Sequence, residues 1–504
     1  MKGLYKFLCF ASVECLLSCC KPADGTLEWA LRLAEENREQ LEAVLNHYKE
    51  DSLKLEAARF LIRNMPYHHS KCEYFLSPDG KKFRSEVLYA KSEEEGKRYR
   101  DSLMRKGFGM EQRQVPDITA IDSSFLIRNI ESAFAVWKKP WAKEVPFEDF
   151  CRYILPYRAQ TEALSALREE IVERFIPLLD SARVATPMEA CILLNEKLSH
   201  LIRYKKTGFP FYATIDETYR FGVGLCEGLC NVGTFIMRAV GIPVAVDMTV
   251  WVKMDLGHSW CAVLDNGQFY SFGPGEQQPG EHARRFSVTR HCRPAKVYRR
   301  HFAPVTYGKR MMDDDGYKAF FKSPLLSDVT NEYLDSPTCI KVAVDKEKTM
   351  RSRASEQVYL CVYNFYQWSP LAMGSYTDGT CVFRDVVGDN IFIVADCPDG
   401  DNLRYITPPF YVNRQGDIHP LIPQKQKLQT YTLPKRKGKE QIEHTLYYWD
   451  VEDTRFIPLA SKEENDTSLT YDRIPENALL WFTIPERIVN QRVFFIENDS
   501  IKKY

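Results

Sequence analysis

The chain has 504 residues, with 68 basic and 68 acidic side chains and a net charge of zero. That balance excludes a broad electrostatic surface for nucleic acid or anionic membrane, and no nucleic-acid partner is expected. A length of this order holds about three domains, and the fifteen cysteines are too scattered to read as a disulfide framework.

The N-terminus reads as a targeting segment. Lys2 and Lys6 give a short basic region, and Phe7 to Leu17 is mostly apolar. Such a run is too short to span a bilayer, which takes about twenty apolar residues. Leu16-Leu17-Ser18-Cys19-Cys20 resembles a bacterial lipobox. The resemblance implies that residues 1–18 are a signal peptide, that Cys19 is lipidated, and that the exported protein is held at the cell envelope by its lipid anchor alone. Cys20 is the alternative lipidation site, and an ordinary cleaved signal peptide the alternative leader.

Residues 19–180 read as a helical N-terminal region. Leu27 to Tyr48 is amphipathic, and Asp51 is placed to cap a second helix over Leu53 to Asn64 that stops before Pro66. His68 and His69 read as a surface pair at that helix end. Ser85 to Lys106 is charged enough for a solvated helix, and Phe125 to Trp137 repeats with an apolar helical period. Arg158 and Glu162, four apart, pair or line a cleft. A helix from Leu164 ends at Pro177, and another runs from Pro187 to Ile202 with Thr186 as its cap.

The chemistry concentrates between Gly222 and Glu276. Gly222 and Gly224 break regular structure just before Cys226. Leu229, Val232, Ile236 and Val240 then fall at helical spacing, and Gly241 and Pro243 stop the helix. Cys226 therefore sits at a helix N-terminus, where the partial positive charge favours a thiolate and a lowered thiol pKa. His258 opens a strand that turns at Asp265-Asn266-Gly267, a hairpin signal. A histidine so placed can take the thiol proton and return it to a leaving group.

Gly224-Leu225-Cys226, Gly241-Ile242-Pro243 and His258-Ser259-Trp260, in this order and at these separations, resemble the transglutaminase-like superfamily. The resemblance implies a papain-like α+β cysteine-enzyme core, placed here at 181–334, with Cys226 as nucleophile and His258 as base. The family's third residue, usually Asp, should fall near Gly273, which has no side chain. Glu276 is the candidate orienting acid, and a Cys226–His258 dyad or a loss of catalysis are the other outcomes. A zinc site from Cys226, Cys230, His258 and Cys261 lacks the paired short spacing of structural zinc, so no metal or other cofactor is assigned. The implied reaction is acyl transfer on a peptide, protein or glycopeptide, by a peptidase or amidase if water is the acceptor and by a transglutaminase if it is a lysine amine, with hydrolysis as the expected outcome. The alternative is an inactive, surface-anchored binding protein on the same scaffold.

Ala283 to Val305 is rich in arginine and reads as a solvated edge. Beyond Asp335 short β-rich runs alternate with turn signals, which predicts an antiparallel β-sandwich over 335–435 and a second small β-rich module, or its continuation, over 436–504. Lys435 to Lys439 marks the boundary. The fold class is α+β: helical region, transglutaminase-like core, antiparallel β-sandwich region.

Overall fold

A computed structural model describes residues 26–503 except 85–89, 209–210, 254–255, 282–292, 306–319, 335–336, 345–356, 399–401, 435–442, 464–467, 484–491 and 498–499. The leader with Cys19, Cys20 and the Lys435–Lys439 loop lies outside the described residues. So do Arg284, Arg285 and Arg290. Among the described residues no helix is long and apolar enough to cross a membrane.

The first apolar stretch forms two helices, α1 (Leu27–Leu33) and α2 (Arg38–His47), joined by a 3-10 turn. Asp51 caps α3 (Ser52–Asn64) by accepting the Lys54 N–H. After α4 (Glu93–Arg105) and α5 (Asp117–Ala120), the apolar face of α6 (Ser123–Trp137) packs on α2 and α3, followed by α7 (Phe147–Tyr153). Proline does not end the next helix. α8 runs Arg168–Ala182 with Pro177 inside it. The lost backbone bond costs about 3 kcal/mol, but Phe175 and Leu179 on either side are buried in the core and hold the helix through it. It stops at Arg183 in the left-handed region, φ 54°.

Two further expectations are corrected by burial. His68 is not on the surface. Its ring stacks on Phe302 at 4.2 Å, with Nε2 2.8 Å from the Phe302 carbonyl. Burial pushes the imidazole down to about 3, so it is neutral at physiological pH. Arg158 pairs with Asp117 rather than with the Glu162 side chain. Its guanidinium donates to both Asp117 carboxylate oxygens at 2.6 and 2.7 Å and to the Glu162 carbonyl at 2.7 Å. The Glu162 carboxylate accepts the N–H groups of Ala159 and Gln160 instead. The buried guanidinium and carboxylate satisfy each other, as buried charges must.

The core holds α9 (Pro187–Leu198), capped by Thr186 as expected, then α10 (Ile215–Phe221) and α11 (Cys226–Ala239). α11 is buried from Gly228 to Ala239. It lies on an antiparallel sheet built from β6 (Val244–Val250), β7 (Gly257–Asp265), β8 (Gln268–Phe272), β9 (Tyr298–Arg300) and β10 (Leu326–Asp328), in the order β10-β9-β6-β7-β8. Before it come a three-stranded sheet of β1 (His69–Leu76), β2 (Lys82–Phe83) and β3 (Gly109–Pro116), and a two-stranded pair of β4 (Arg203–Tyr204) and β5 (Val223–Gly224). Asn266 and Gly267 have φ 48° and 76°, which is the two-residue hairpin turn that Asn-Gly prefers.

Among the described residues of the C-terminal half every strand pair is antiparallel. β12 (Gln357–Asn364) is the middle strand of its large sheet, with β13 (Gln367–Thr377), β14 (Thr380–Val386) and β11 (Thr338–Ala343) on one side, and β15 (Asn390–Asp396) on the other. Val358, Leu360 and Val362 of β12 enter one hydrophobic core, while Tyr359, Cys361 and Tyr363 enter another. Burial on both faces is why this strand reads as a continuous apolar run. β13 escaped the sequence pattern because it carries Pro370 and Gly374. Pro370 falls where the β12–β13 register shifts between Leu360 and Cys361, a place where a strand tolerates proline. Beyond β15 the strands continue to Lys503 and include a separate five-stranded sheet.

Candidate active site

Glycine geometry fixes the approach to Cys226. Gly222 closes α10 in the left-handed region at φ 66°, and a Cβ there would lie 2.5 Å from the Leu201 carbonyl. The chain then pairs briefly in parallel, β4 with β5. Leu225 precedes α11 in an extended conformation and offers no side-chain cap. The first-turn N–H groups of α11 are thus not taken up by a capping side chain. Cys226 is the first helical residue, half-buried.

The thiol environment differs from the helix-start expectation. Burial raises the Cys226 pKa above the ordinary thiol range. The N–H groups of Ser259, Glu227 and Cys226 itself oppose that rise without cancelling it. The Ser259 contact is the informative one, because Ser259 follows His258 on β7. α11, which carries the sulfur, packs on β7, which carries the imidazole.

His258 pairs across the hairpin with Thr249. Its ring stacks on Trp251, with centroids 5.3 Å apart and planes 17° apart, and leans on Trp260 at 5.6 Å. Trp260 is fixed from behind. Its Nε1 donates to the Tyr333 hydroxyl at 2.9 Å, and that hydroxyl donates to the Asp247 carboxylate. Asp247 also accepts two bonds from Arg299, at 2.9 and 2.8 Å. Arg299 is 2% exposed, so the Ala283–Val305 arginines are not a uniformly solvated edge. Cys261 alternates to the opposite face of β7, where its sulfur lies 3.3 Å from Thr234 Oγ1 of α11. Among the described residues no group of three or more His, Cys, Asp and Glu side chains is placed to hold a metal ion.

The position of the missing acid is occupied by other groups. Gly273 begins a turn in which the Glu276 N–H bonds the Gly273 carbonyl at 2.9 Å, and Asn195 of α9 anchors it through Gln277 O and Gly275 N. A Cβ on Gly273 would fall 2.4 Å from Gln277 Oε1, so the Gln277 amide fills the space of a side chain at 273. Glu276 itself is exposed. Pro274 packs on α11 at Gly233, where a Cβ would come within 2.6 Å of it.

Residues 180–274 match the transglutaminase-like superfamily core. The chain carries a transglutaminase-like domain. No curated protein matches the chain. Among solved structures, a candidate cysteine protease from Cytophaga hutchinsonii is similar at 13% identity over 22% of this chain and 37% of that one, with a TM-score of 0.19. Red sea bream transglutaminase is similar at 9% identity over 63% of this chain and 70% of that one, with a TM-score of 0.21. This chain thus spans little more than a third of the Cytophaga protein's length.

Within the transglutaminase-like domain, three residues not foreseen as site residues are linked electrostatically to Cys226. Burial raises the Tyr204 phenol, and the charges of Cys226 and Glu276 add to the rise. Glu227 is the main cause of the raised Tyr212 phenol, followed by burial, with Glu73 and Cys226 contributing. Glu227 has its own carboxyl raised by burial, against the opposing pull of Arg300. Tyr204, Tyr212 and Glu227 therefore share one electrostatic neighbourhood with Cys226. The only sequence signal for it was the carboxylate directly after the cysteine. The roughly 890 Å³ cavity between Tyr298 and Tyr376 is a separate feature, and Cys226 and His258 do not line it.

Proposed function

We propose that the protein is a cysteine acyl-transfer enzyme that hydrolyses a peptide or carboxamide bond through Cys226 and His258. The observation that carries this reading is the placement of Cys226 at the start of α11 and of His258 on β7, the strand on which α11 packs, within the matched transglutaminase-like domain. His258 removes the thiol proton, and the sulfur attacks the substrate carbonyl carbon. The Cys226 N–H, at the start of a helix whose first turn lacks a side-chain cap, stabilises the oxyanion. As the C–N bond breaks, His258 returns the proton to the departing amine and leaves a thioester on Cys226. Water, deprotonated by His258, then releases the acid.

The raised thiol makes the base essential to this scheme. A thiol raised above its ordinary range is protonated at neutral pH and is a poor nucleophile until its proton is removed. Glu276 is the proposed orienting acid, on the strength of its place in the turn that follows β8. The substrate is proposed to be a peptide, protein or glycopeptide. Cleavage of an unbiased peptide library by wild type and Cys226→Ser tests the reaction and identifies the scissile bond. Equal cleavage by both would remove it.

The same proposal places the mature protein at the cell envelope through a lipid on Cys19. Mass spectrometry of the N-terminal peptide should find it acylated, and an unmodified N-terminus would contradict the anchor. The second reading, an inactive binding protein, is favoured by two observations, the thiol raised by burial and the glycine at position 273.

A further inference from the structure

The hairpin that carries His258 is gripped from outside the core sheet. Where β6 leaves and β7 begins, the Trp251 N–H donates to the Leu256 carbonyl at 3.1 Å. Leu256 is in the left-handed region at φ 72°, a conformation that a leucine keeps only when its surroundings impose it. The imposing group is Asn364, the last residue of β12 and 4% exposed. Its Oδ1 accepts the Leu256 N–H at 2.7 Å, and its Nδ2 donates to the carbonyls of Leu256 and Trp251, both at 2.9 Å. One side chain thus bonds both ends of the loop from more than a hundred residues away. Two further contacts reach the loop from the β-rich half. Lys253 Nζ lies 3.0 Å from Asp389 in a pair with both side chains largely buried, and Arg492 Nη2 donates to the Val252 carbonyl at 2.6 Å.

The loop ends so held adjoin the imidazole. Trp251 is the ring on which His258 stacks, and Leu256 is two residues from His258 along the strand. We propose that Asn364 is a positioning residue for His258, and that the β-rich half, with Asp389 and Arg492 in support, sets the imidazole against the thiol of Cys226. This deepens the acyl-transfer reading and rests on it. Unheld surface loops move on the nanosecond to microsecond scale, whereas proton transfer needs the base within hydrogen-bond reach. A misplacement of about 1 Å can cost about a hundredfold in rate.

The test compares Asn364→Ala with Leu446→Ala. Leu446 is buried in a different cluster of the C-terminal sheets, which includes no hairpin residue. It therefore controls for general destabilisation. Two quantities are read in the full chain: the imidazole ¹⁵N resonances of His258, assigned by their loss in His258→Gln, and kcat separately from KM. Asn364→Ala should shift or broaden the His258 signals and lower kcat about 10–100-fold with KM within about twofold. Leu446→Ala should leave both as in wild type. A folded Asn364→Ala with wild-type His258 signals overturns the proposal. If Asn364→Ala does not fold, Asp389→Asn, which neutralises the carboxylate paired with Lys253, is read in the same way. The imidazole signal does not depend on turnover. Equal hydrolysis by wild type and Cys226→Ser would therefore end the acyl-transfer reading while a shifted His258 still supported the positioning role.

Discussion

Serine in place of Cys226 is expected to reduce peptide hydrolysis at least about a thousandfold while leaving the fold intact. The substitution keeps the side chain's length and its place on α11 but exchanges sulfur for oxygen. The hydroxyl proton is far harder to remove, so the imidazole that suffices for a thiol no longer generates a useful nucleophile. Circular dichroism and urea unfolding should match wild type, because the half-buried thiol contributes little packing that a hydroxyl would forfeit. Steady-state hydrolysis of the best library peptide measures the effect. Retention of wild-type kcat would show that Cys226 is not the nucleophile.

Methionine in place of Arg299 should cost about 3–5 kcal/mol of stability, the usual penalty for orphaning one member of a buried ion pair. Asp247 is 0% exposed and would keep only the Tyr333 hydroxyl among the partners described above. The pair also supports the site, because Trp260 hangs from the same Tyr333 hydroxyl and His258 leans on Trp260. Adding Asp247→Asn to Arg299→Met should recover part of the loss, since a neutral amide is cheaper to bury than an unpaired carboxylate. Urea unfolding monitored by tryptophan fluorescence checks both variants. A wild-type midpoint for Arg299→Met would mean that the pair contributes nothing to the folded state.

Local patterns were legible and distant partners were not. The helix from Cys226 and the Asn266-Gly267 turn were readable because apolar period, helix-stopping glycine and hairpin chemistry all act within a few residues. The Thr186 and Asp51 caps were readable for the same reason. Pro177 misled because its local cost is overridden by burial of Phe175 and Leu179, which only the packed core supplies. Arg158 was matched with Glu162 on helical spacing, yet its carboxylate partner is Asp117, 41 residues earlier. The thiol followed the same rule. A helix start lowers a cysteine's pKa, but the depth at which that start is buried is a tertiary property, and here depth dominates. Asn364 had no sequence signal, since it ends an ordinary strand and acts on a loop 108 residues away.

The most direct measurement of the Cys226–His258 pairing is the pH dependence of Cys226 alkylation by iodoacetamide, followed by mass spectrometry of the peptide that contains it. In wild type, and more weakly in Glu276→Gln, modification should proceed at neutral pH because the imidazole takes the thiol proton. In His258→Ala the rate should stay low until the alkaline range in which a buried, unassisted thiol ionises by itself. An identical, alkaline-onset profile in wild type and His258→Ala would mean that sulfur and imidazole do not work together, and the chain would stand as a transglutaminase-like scaffold without the proposed chemistry.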